Sequence, residues 1–369
     1  MNPRILYDFK TGYPNLELVP RQRLHDLAAL ILERGHSLQY AGDLAGTMRA
    51  REQIAALIAH LYDRPVNALE VMVTTGALHS IDVTCRALTM PGDVVLVESP
   101  TFYFGVNILQ MSRVEVVGVP MRETGIDLDA LEAACQTYAG RVKVVYTIPS
   151  FHNPTGITAT VENRQGLVQL AQRYGFTILE DATYQPLSFG APPPPIVRAF
   201  DDGDCTVTVA SVSKLLMPAL RVGWIYASPA KVKVLTGFKG DGGTSMFNTE
   251  IAASFIEAGD FPAQIAAARA FYARRHHLMI AALDRHAPEW LEWSAPDGGY
   301  FIWARLPDGK SAAALHRAAV EQGIDFFRGS ASYADGQDDA HVRLCFAYEQ
   351  EALIEPGIAA LCALMRNLP

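Results

Sequence analysis

Long apolar runs are scarce in this 369-residue chain, and none approaches the ~20 residues a helix needs to cross a bilayer. The opening MNPRILYDFK has no apolar h-region, so no signal peptide is read there. Cysteine is also sparse. Cys85, Cys135, Cys205, Cys345 and Cys362 are odd in number, widely spaced and free of any C-x-x-C. That argues against a disulfide framework and a zinc site, and the expected compartment is the reducing cytoplasm. Basic residues are outnumbered, with Lys+Arg 31 against Asp+Glu 39 and a net charge of −8. Without a long Lys/Arg run, nucleic acid is not an expected partner, and neither is a membrane. Charged residues are only 19% and no repeat or low-complexity tail is present. A disordered chain, a coiled coil and a collagen-like repeat are thereby excluded.

Several catalytic and binding motifs fail as well. Gly309-Lys310-Ser311 resembles the end of a phosphate-binding P-loop, but the first glycine would fall at Ala304. His276 and His277 are adjacent on a helical stretch and point to different sides, so no metal pair is expected and no metal is assigned. Neither G-x-S-x-G nor G-x-G-x-x-G occurs.

Apolar residues make up 50% of the chain, ample for large cores, and the length fits two domains. The middle alternates short β-branched runs with helical patterns. The runs are 71–74, 94–97, 114–117, 142–148, 176–179, 206–209 and 222–227, with helices such as 78–88 and 164–174 between them. Runs apolar throughout are strands buried on both faces, and the alternation predicts an α/β domain with a mostly parallel seven-stranded sheet. The ends differ. Helical patterns at 20–34, 47–61 and 247–284, with strands at 300–306 and 342–347, predict a smaller α+β domain. The expected boundaries are 46–265 for the large domain, and 1–45 with 266–369 for the small one. Pro192–Pro195 reads as an exposed stiff loop.

The unusual residues fall at strand ends, where open α/β sheets bind ligands. Thr75-Gly76-Ala77 follows the first run and Glu98 to Phe102 the second. Asn153-Pro154-Thr155-Gly156 follows the fourth. Glu180-Asp181 ends the fifth, with Tyr184 just beyond, and Ser211-Val212-Ser213-Lys214 ends the sixth. Singly, each has a plain explanation. Gly76 and the Asn-Pro-Thr-Gly segment make turns, Phe102 packs in a core, and Asp181 caps a helix. Lys214, Arg221 and Arg343 are ordinary surface charges.

Together they can do chemistry. A partly desolvated Lys214 is a candidate Schiff-base nucleophile. Asp181 is a carboxylate able to keep a pyridine nitrogen protonated. Gly76-Ala77-Leu78 at a helix start, Ser211, Ser213 and Arg221 suit a phosphate. Phe102 offers a stacking face.

Gly76, Asn153-Pro154-Thr155-Gly156, Asp181-x-x-Tyr184 and Ser211-x-Ser213-Lys214, with Arg221 seven residues on, resemble the fold type I pyridoxal-phosphate enzymes. More narrowly, the chain resembles the class I/II aminotransferases. LQY at 38–40, TIPSFHNPTG at 147–156 and SVSK at 211–214 are similar to the α-aminoadipate branch and the aminotransferase-like domain of GntR/MocR regulators. The resemblance runs from about Phe9 to the C-terminus. It implies that Lys214 binds pyridoxal 5'-phosphate and shuttles the α-proton, that Asp181 pairs with the pyridine nitrogen, and that Tyr184 and Asn153 hold the ring oxygen. It implies a phosphate site of Ser211, Ser213, Arg221 and the Gly76-Ala77-Leu78 turn. Tyr40 matches a tyrosine that reaches the other subunit's phosphate, implying a homodimer with shared sites. Arg343 matches the arginine that grips the substrate α-carboxylate.

Some positions depart from the pattern. Ala77 stands where Ser or Thr is frequent, His79 where Gln is common, and Phe102 where Tyr or Trp is usual. With Gly12-Tyr13-Pro14 close to the first residue, neither the longer N-terminal helix of aminoadipate-type relatives nor a winged helix before Phe9 is expected. Gly12 and Tyr13 are candidate substrate-pocket residues, with turn packing as the alternative for Tyr13. The implied reaction moves an amino group between an L-α-amino acid and a 2-oxo acid. A lyase, racemase, decarboxylase or oxidase reaction on the same cofactor stays open, as does a regulatory domain. The amino donor is not legible.

Overall fold

A computed structural model describes residues 4–35, 38–40 and 42–368. In chain order the strands are β1 Tyr7–Phe9, β2 Val71–Thr74, β3 Val94–Ser99, β4 Glu115–Arg122, β5 Gly125–Ile126, β6 Val142–Thr147, β7 Thr177–Asp181, β8 Thr206–Ser211, β9 Gly223–Tyr226, β10 Glu292–Trp293, β11 Phe301–Arg305, β12 Ile324–Arg328 and β13 His341–Cys345. The helices are α1 Arg21–Arg34, α2 Met48–Tyr62, α3 Ala77–Leu88, α4 Tyr103–Met111, α5 Leu128–Thr137, α6 Val161–Tyr174, α7 Pro229–Thr236, α8 Met246–Glu257, α9 Phe261–His286, α10 Ala312–Glu321 and α11 Glu351–Arg366.

All seven expected strands of the large sheet form, in the order β2-β9-β8-β7-β6-β3-β4-β5. The eighth member, β5, is a two-residue strand that folds back antiparallel on β4. It is too short for a periodicity signal. Strands β2, β7, β8 and β9 are buried almost throughout, as the Val/Ile-rich runs predict for a sheet covered on both faces. Adjacent strands from β4 to β8 run parallel, but β9 runs antiparallel between β2 and β8. This single reversal matters for the site. It brings the start of β9 beside the ends of β2 and β8, with Gly223 opposite both Thr74 and Ser211. A Cβ on Gly223 would lie 2.7 Å from the Gly76 backbone, so only glycine permits the approach.

The second sheet has the order β1-β12-β13-β11-β10 and draws on both chain termini. Strand β1 pairs in parallel with β12 (Tyr7 with Ile324), and the other neighbours are antiparallel. The 300–306 and 342–347 expectations become β11 and β13. Strands β1 and β12 were not anticipated: β1 is three residues long, and β12 carries Asp325 within its apolar run. The helical stretch expected at 247–284 is two helices, α8 and α9, broken at Gly259, whose φ of +77° lies in the left-handed region. Pro192–Pro195 lies in a loop whose residues are exposed or half-buried. Among the described residues, no helix is long and apolar enough to cross a membrane, and no group of three His, Cys, Asp or Glu is placed to hold a metal.

Candidate active site

The carboxyl ends of the large sheet and the inner face of the small one enclose a cavity of about 500 Å³. Thirteen of the expected site residues line it: Gly12, Tyr13, Ala77, Leu78, Phe102, Asn153, Asp181, Tyr184, Ser211, Ser213, Lys214, Arg221 and Arg343. Gly76 lies just behind the wall, with φ +86°, and a Cβ there would meet the Arg221 guanidinium at 2.7 Å. Tyr40 is elsewhere in the same chain. It is 92% exposed, beside a separate hollow that includes Gly242 and Phe247.

At the inner end, Lys214 follows β8 on a short 3-10 turn whose start is fixed by Ser211 Oγ accepting from Ser213 N–H at 3.3 Å. Lys214 Nζ donates to Gly12 C=O at 2.7 Å and lies 5.4 Å from the Tyr300 ring centre and 5.9 Å from that of Tyr184. Burial is the main cause that pushes its pKa down to about 8. Arg343 and Arg221 act the same way, and Asp181 opposes them.

Asp181 is no helix cap. It ends β7 with 6% exposure, accepting from Thr183 N–H at 3.0 Å and from the Tyr146 hydroxyl at 3.2 Å. Burial raises its pKa, and these donors pull it back. Tyr146, fully buried in β6, has its own pKa pushed well up, chiefly by burial, so it serves as a proton donor.

Arg221 adopts a left-handed φ of 52°, uncommon for a residue with a side chain, and donates to Thr75 C=O at 3.1 Å. Beside it α3 begins at Gly76 with no side-chain cap, leaving N–H groups free for an anion.

At the outer end, Arg343 of β13 is 4% exposed. It donates to Asn153 Oδ1 at 3.1 Å and Lys10 C=O at 2.8 Å, and its Nε has no partner among the described residues. Its guanidinium carbon lies 4.1 Å and 4.4 Å from the ring centres of Phe301 and Phe327. A buried cation whose only acceptors are neutral is costly unless a carboxylate joins it.

Sequence reasoning missed Tyr146, Tyr300, Phe301, Phe327 and Tyr103. Tyr146 is the one aromatic residue in the β6 Val run, and that signal was available. Phe327 sits on the unanticipated β12, and nothing local marks it.

Comparisons with known proteins bear on this arrangement. Residues 7–361 match the family described as aminotransferase class I and II. The chain is 32% identical to the aromatic-amino-acid aminotransferase 1 of Thermococcus litoralis, covering 96% of this chain and 87% of that one. It is 31% identical to the 2-aminoadipate transaminase of Thermus thermophilus, covering 99% and 91%. A crystal structure of Pyrococcus horikoshii kynurenine aminotransferase in complex with PMP, at 28% identity, superposes with a TM-score of 0.93 over 100% of this chain and 91% of that one.

A sheet-end cavity of this kind, on this fold, defines a fold type I pyridoxal-phosphate enzyme. The chain belongs to the class I and II aminotransferases, which use pyridoxal 5'-phosphate to move an amino group between an amino acid and a 2-oxo acid. The residues present fit that cofactor. A cradle that a Cβ at Gly76 would fill faces an arginine, and a buried carboxylate has only uncharged donors around it.

Proposed function

We propose that Lys214, Asp181, Arg221 and Arg343 divide the transamination between them, with Lys214 as the covalent anchor and proton carrier. The observation that carries this reading is their convergence on one cavity, with a lysine pKa lowered to about 8. When bound, pyridoxal 5'-phosphate supplies an aldehyde and a protonated ring that withdraws electrons from the substrate Cα. Arg221, Ser211, Ser213 and the N–H groups of Gly76-Ala77-Leu78 would hold its phosphate, and Phe102 would offer an aromatic face to its ring. Asp181 keeps the ring nitrogen protonated, with Tyr146 keeping that carboxylate in place. Asn153 and Tyr184 hold the ring oxygen. Arg343 receives the substrate α-carboxylate on its guanidinium fork. Lys214 Nζ, oriented by Gly12 C=O, takes the proton from Cα and later returns one.

The amino donor carries an aromatic or large apolar side chain. Tyr13, Tyr103, Phe104 and Phe327 surround the outer cavity, and the nearby Lys10 ammonium is already paired with Asp325 at 3.1 Å. The relatives named for aromatic amino acids and kynurenine support this reading, and the one named for 2-aminoadipate favours an acidic donor. A donor screen read by cofactor absorbance decides. Phenylalanine or tyrosine should convert the cofactor to its amine form, and an added 2-oxo acid should reverse it. A response to 2-aminoadipate alone overturns the aromatic assignment, and no reversible response to any donor overturns transamination.

The enzyme works as a cytoplasmic homodimer. Leu38, Tyr40, Leu44 and Met48 form an exposed apolar stretch suited to a second copy, where Tyr40 meets the partner's phosphate site. The five cysteines are all free and buried, which suits a reducing compartment. The domains divide at 46–265, with both termini building the smaller one. Light scattering should give twice the chain mass, and a fully active monomer would rule out shared sites.

A further inference from the structure

Thr75, the residue before the Gly76 turn, is held at three points by three separate parts of the chain. Its N–H donates to His79 Nδ1 at 3.1 Å. Its hydroxyl donates to Asp241 Oδ2 at 3.1 Å. Its carbonyl accepts from Arg221 at 3.1 Å. His79 comes from the first turn of α3, Asp241 from the loop after α7, and Arg221 from the segment before β9.

The two further partners are themselves fixed. Asp241 accepts from Gly243 N–H at 2.9 Å and lies 3.6 Å from the ammonium of Lys239, whose side chain is fully buried. Burial pushes the Asp241 pKa up, but Gly243 N–H, Lys239 and the Thr75 hydroxyl outweigh it and keep the carboxylate charged. Because His79 Nδ1 accepts a backbone N–H, the ring is neutral with its proton on Nε2. Burial, which lowers the His79 pKa, acts in the same direction.

The N–H groups of Ala77 and Leu78 belong to the uncapped start of α3, so their direction follows the backbone at Thr75 and Gly76. Arg221 is tied to the same residue. A tilt at Thr75 therefore moves the guanidinium and the free N–H groups together.

We propose that His79 and Asp241 are positioning residues that clamp Thr75 and hold the phosphate-binding turn in its anion-receiving shape. This rests on reading that turn as the phosphate site. Neither residue touches the cofactor in this account; both act through Thr75.

The test is a titration of the apoprotein with pyridoxal 5'-phosphate and, separately, with pyridoxal, which lacks the phosphate. His79→Leu removes the acceptor and should weaken pyridoxal 5'-phosphate binding about tenfold, with pyridoxal affinity changed less than about twofold. His79→Gln keeps an acceptor oxygen and should restore binding to within about threefold of the parent. Thr75→Val deletes the hydroxyl with little change of shape and should weaken pyridoxal 5'-phosphate binding about threefold, again sparing pyridoxal. Unchanged pyridoxal 5'-phosphate affinity in His79→Leu, or an equal loss for pyridoxal, overturns the proposal. If His79→Leu does not fold, Thr75→Val decides by the same two criteria. A parent protein that binds neither compound overturns the functional reading itself. A parent that binds and turns over, with unaltered variants, overturns only the clamp.

Discussion

The two ends of the cavity are built by different means. The inner end, with Gly76, Asp181, Ser211, Lys214 and Arg221, comes from successive strand ends of one sheet. Gly76, Asp181, Ser211 and Lys214 sit at or just beyond the ends of β2, β7 and β8, and Arg221 lies just before β9. The outer end joins Gly12 and Tyr13 to Phe301, Phe327 and Arg343, from opposite ends of the chain. Its groups meet only because β13 lies between β12 and β11 and β1 closes the sheet. The proposed cofactor end is thus built by regular sheet geometry. The proposed substrate end depends on the packing of two sheets.

That contrast can be broken or sharpened by substitution at each end. The largest effect belongs to the inner end. Lys214→Ala should cut turnover by roughly 10²–10⁴-fold or more and remove the absorbance of the lysine-bound cofactor. Retained multiple turnover would show that another residue carries the proton.

Arg343→Ala should act on KM for every α-amino acid alike, at a cost of about 2–5 kcal/mol, while cofactor affinity stays near the parent value. A defect confined to one donor would move Arg343 to side-chain recognition.

Tyr146→Phe should lower kcat about tenfold by taking one donor from the Asp181 carboxylate, with KM little changed. An unaltered kcat would mean that Thr183 N–H alone suffices.

On the proposed assignment, uptake of pyridoxal 5'-phosphate by the apoprotein requires the neutral Lys214 amine. Its rate should rise about tenfold per pH unit up to about pH 8 and level off above. A plateau beginning near pH 10 would show that burial does not depress this lysine.

The smallest effect returns to the outer end. Phe327→Leu removes one of the two rings on Arg343 and should cost about 0.5–2 kcal/mol in kcat/KM, more for aromatic donors than for alanine. An equal loss for all donors would leave Phe327 a support for Arg343 and no part of the side-chain pocket.

Legibility in the sequence followed the same division. The seven strand runs were readable because strands buried on both faces are continuous apolar segments. Most inner-end residues were readable because they follow such a run, and Arg221 by its spacing from Lys214. Tyr146 was hidden by its setting, since an aromatic inside a strand looks like core until its hydroxyl is seen on Asp181. Phe327 lies on a strand whose second residue is Asp325, which breaks the apolar run. Tyr40 was singled out by resemblance alone, and within one chain it stays outside the cavity.

The amino-acid sequence by itself determined the α/β class, the order of the strand runs and the chemistry gathered at their ends. These depend on local apolar patterning and on which residue follows each strand. Only the tertiary structure decided that β9 runs against its neighbours, bringing Arg221 to Gly76, and that Arg343 is buried between two phenylalanines with one nitrogen unpaired. Strand direction and the pairing of distant segments are settled by burying both sheets at once, and no window of sequence contains that balance.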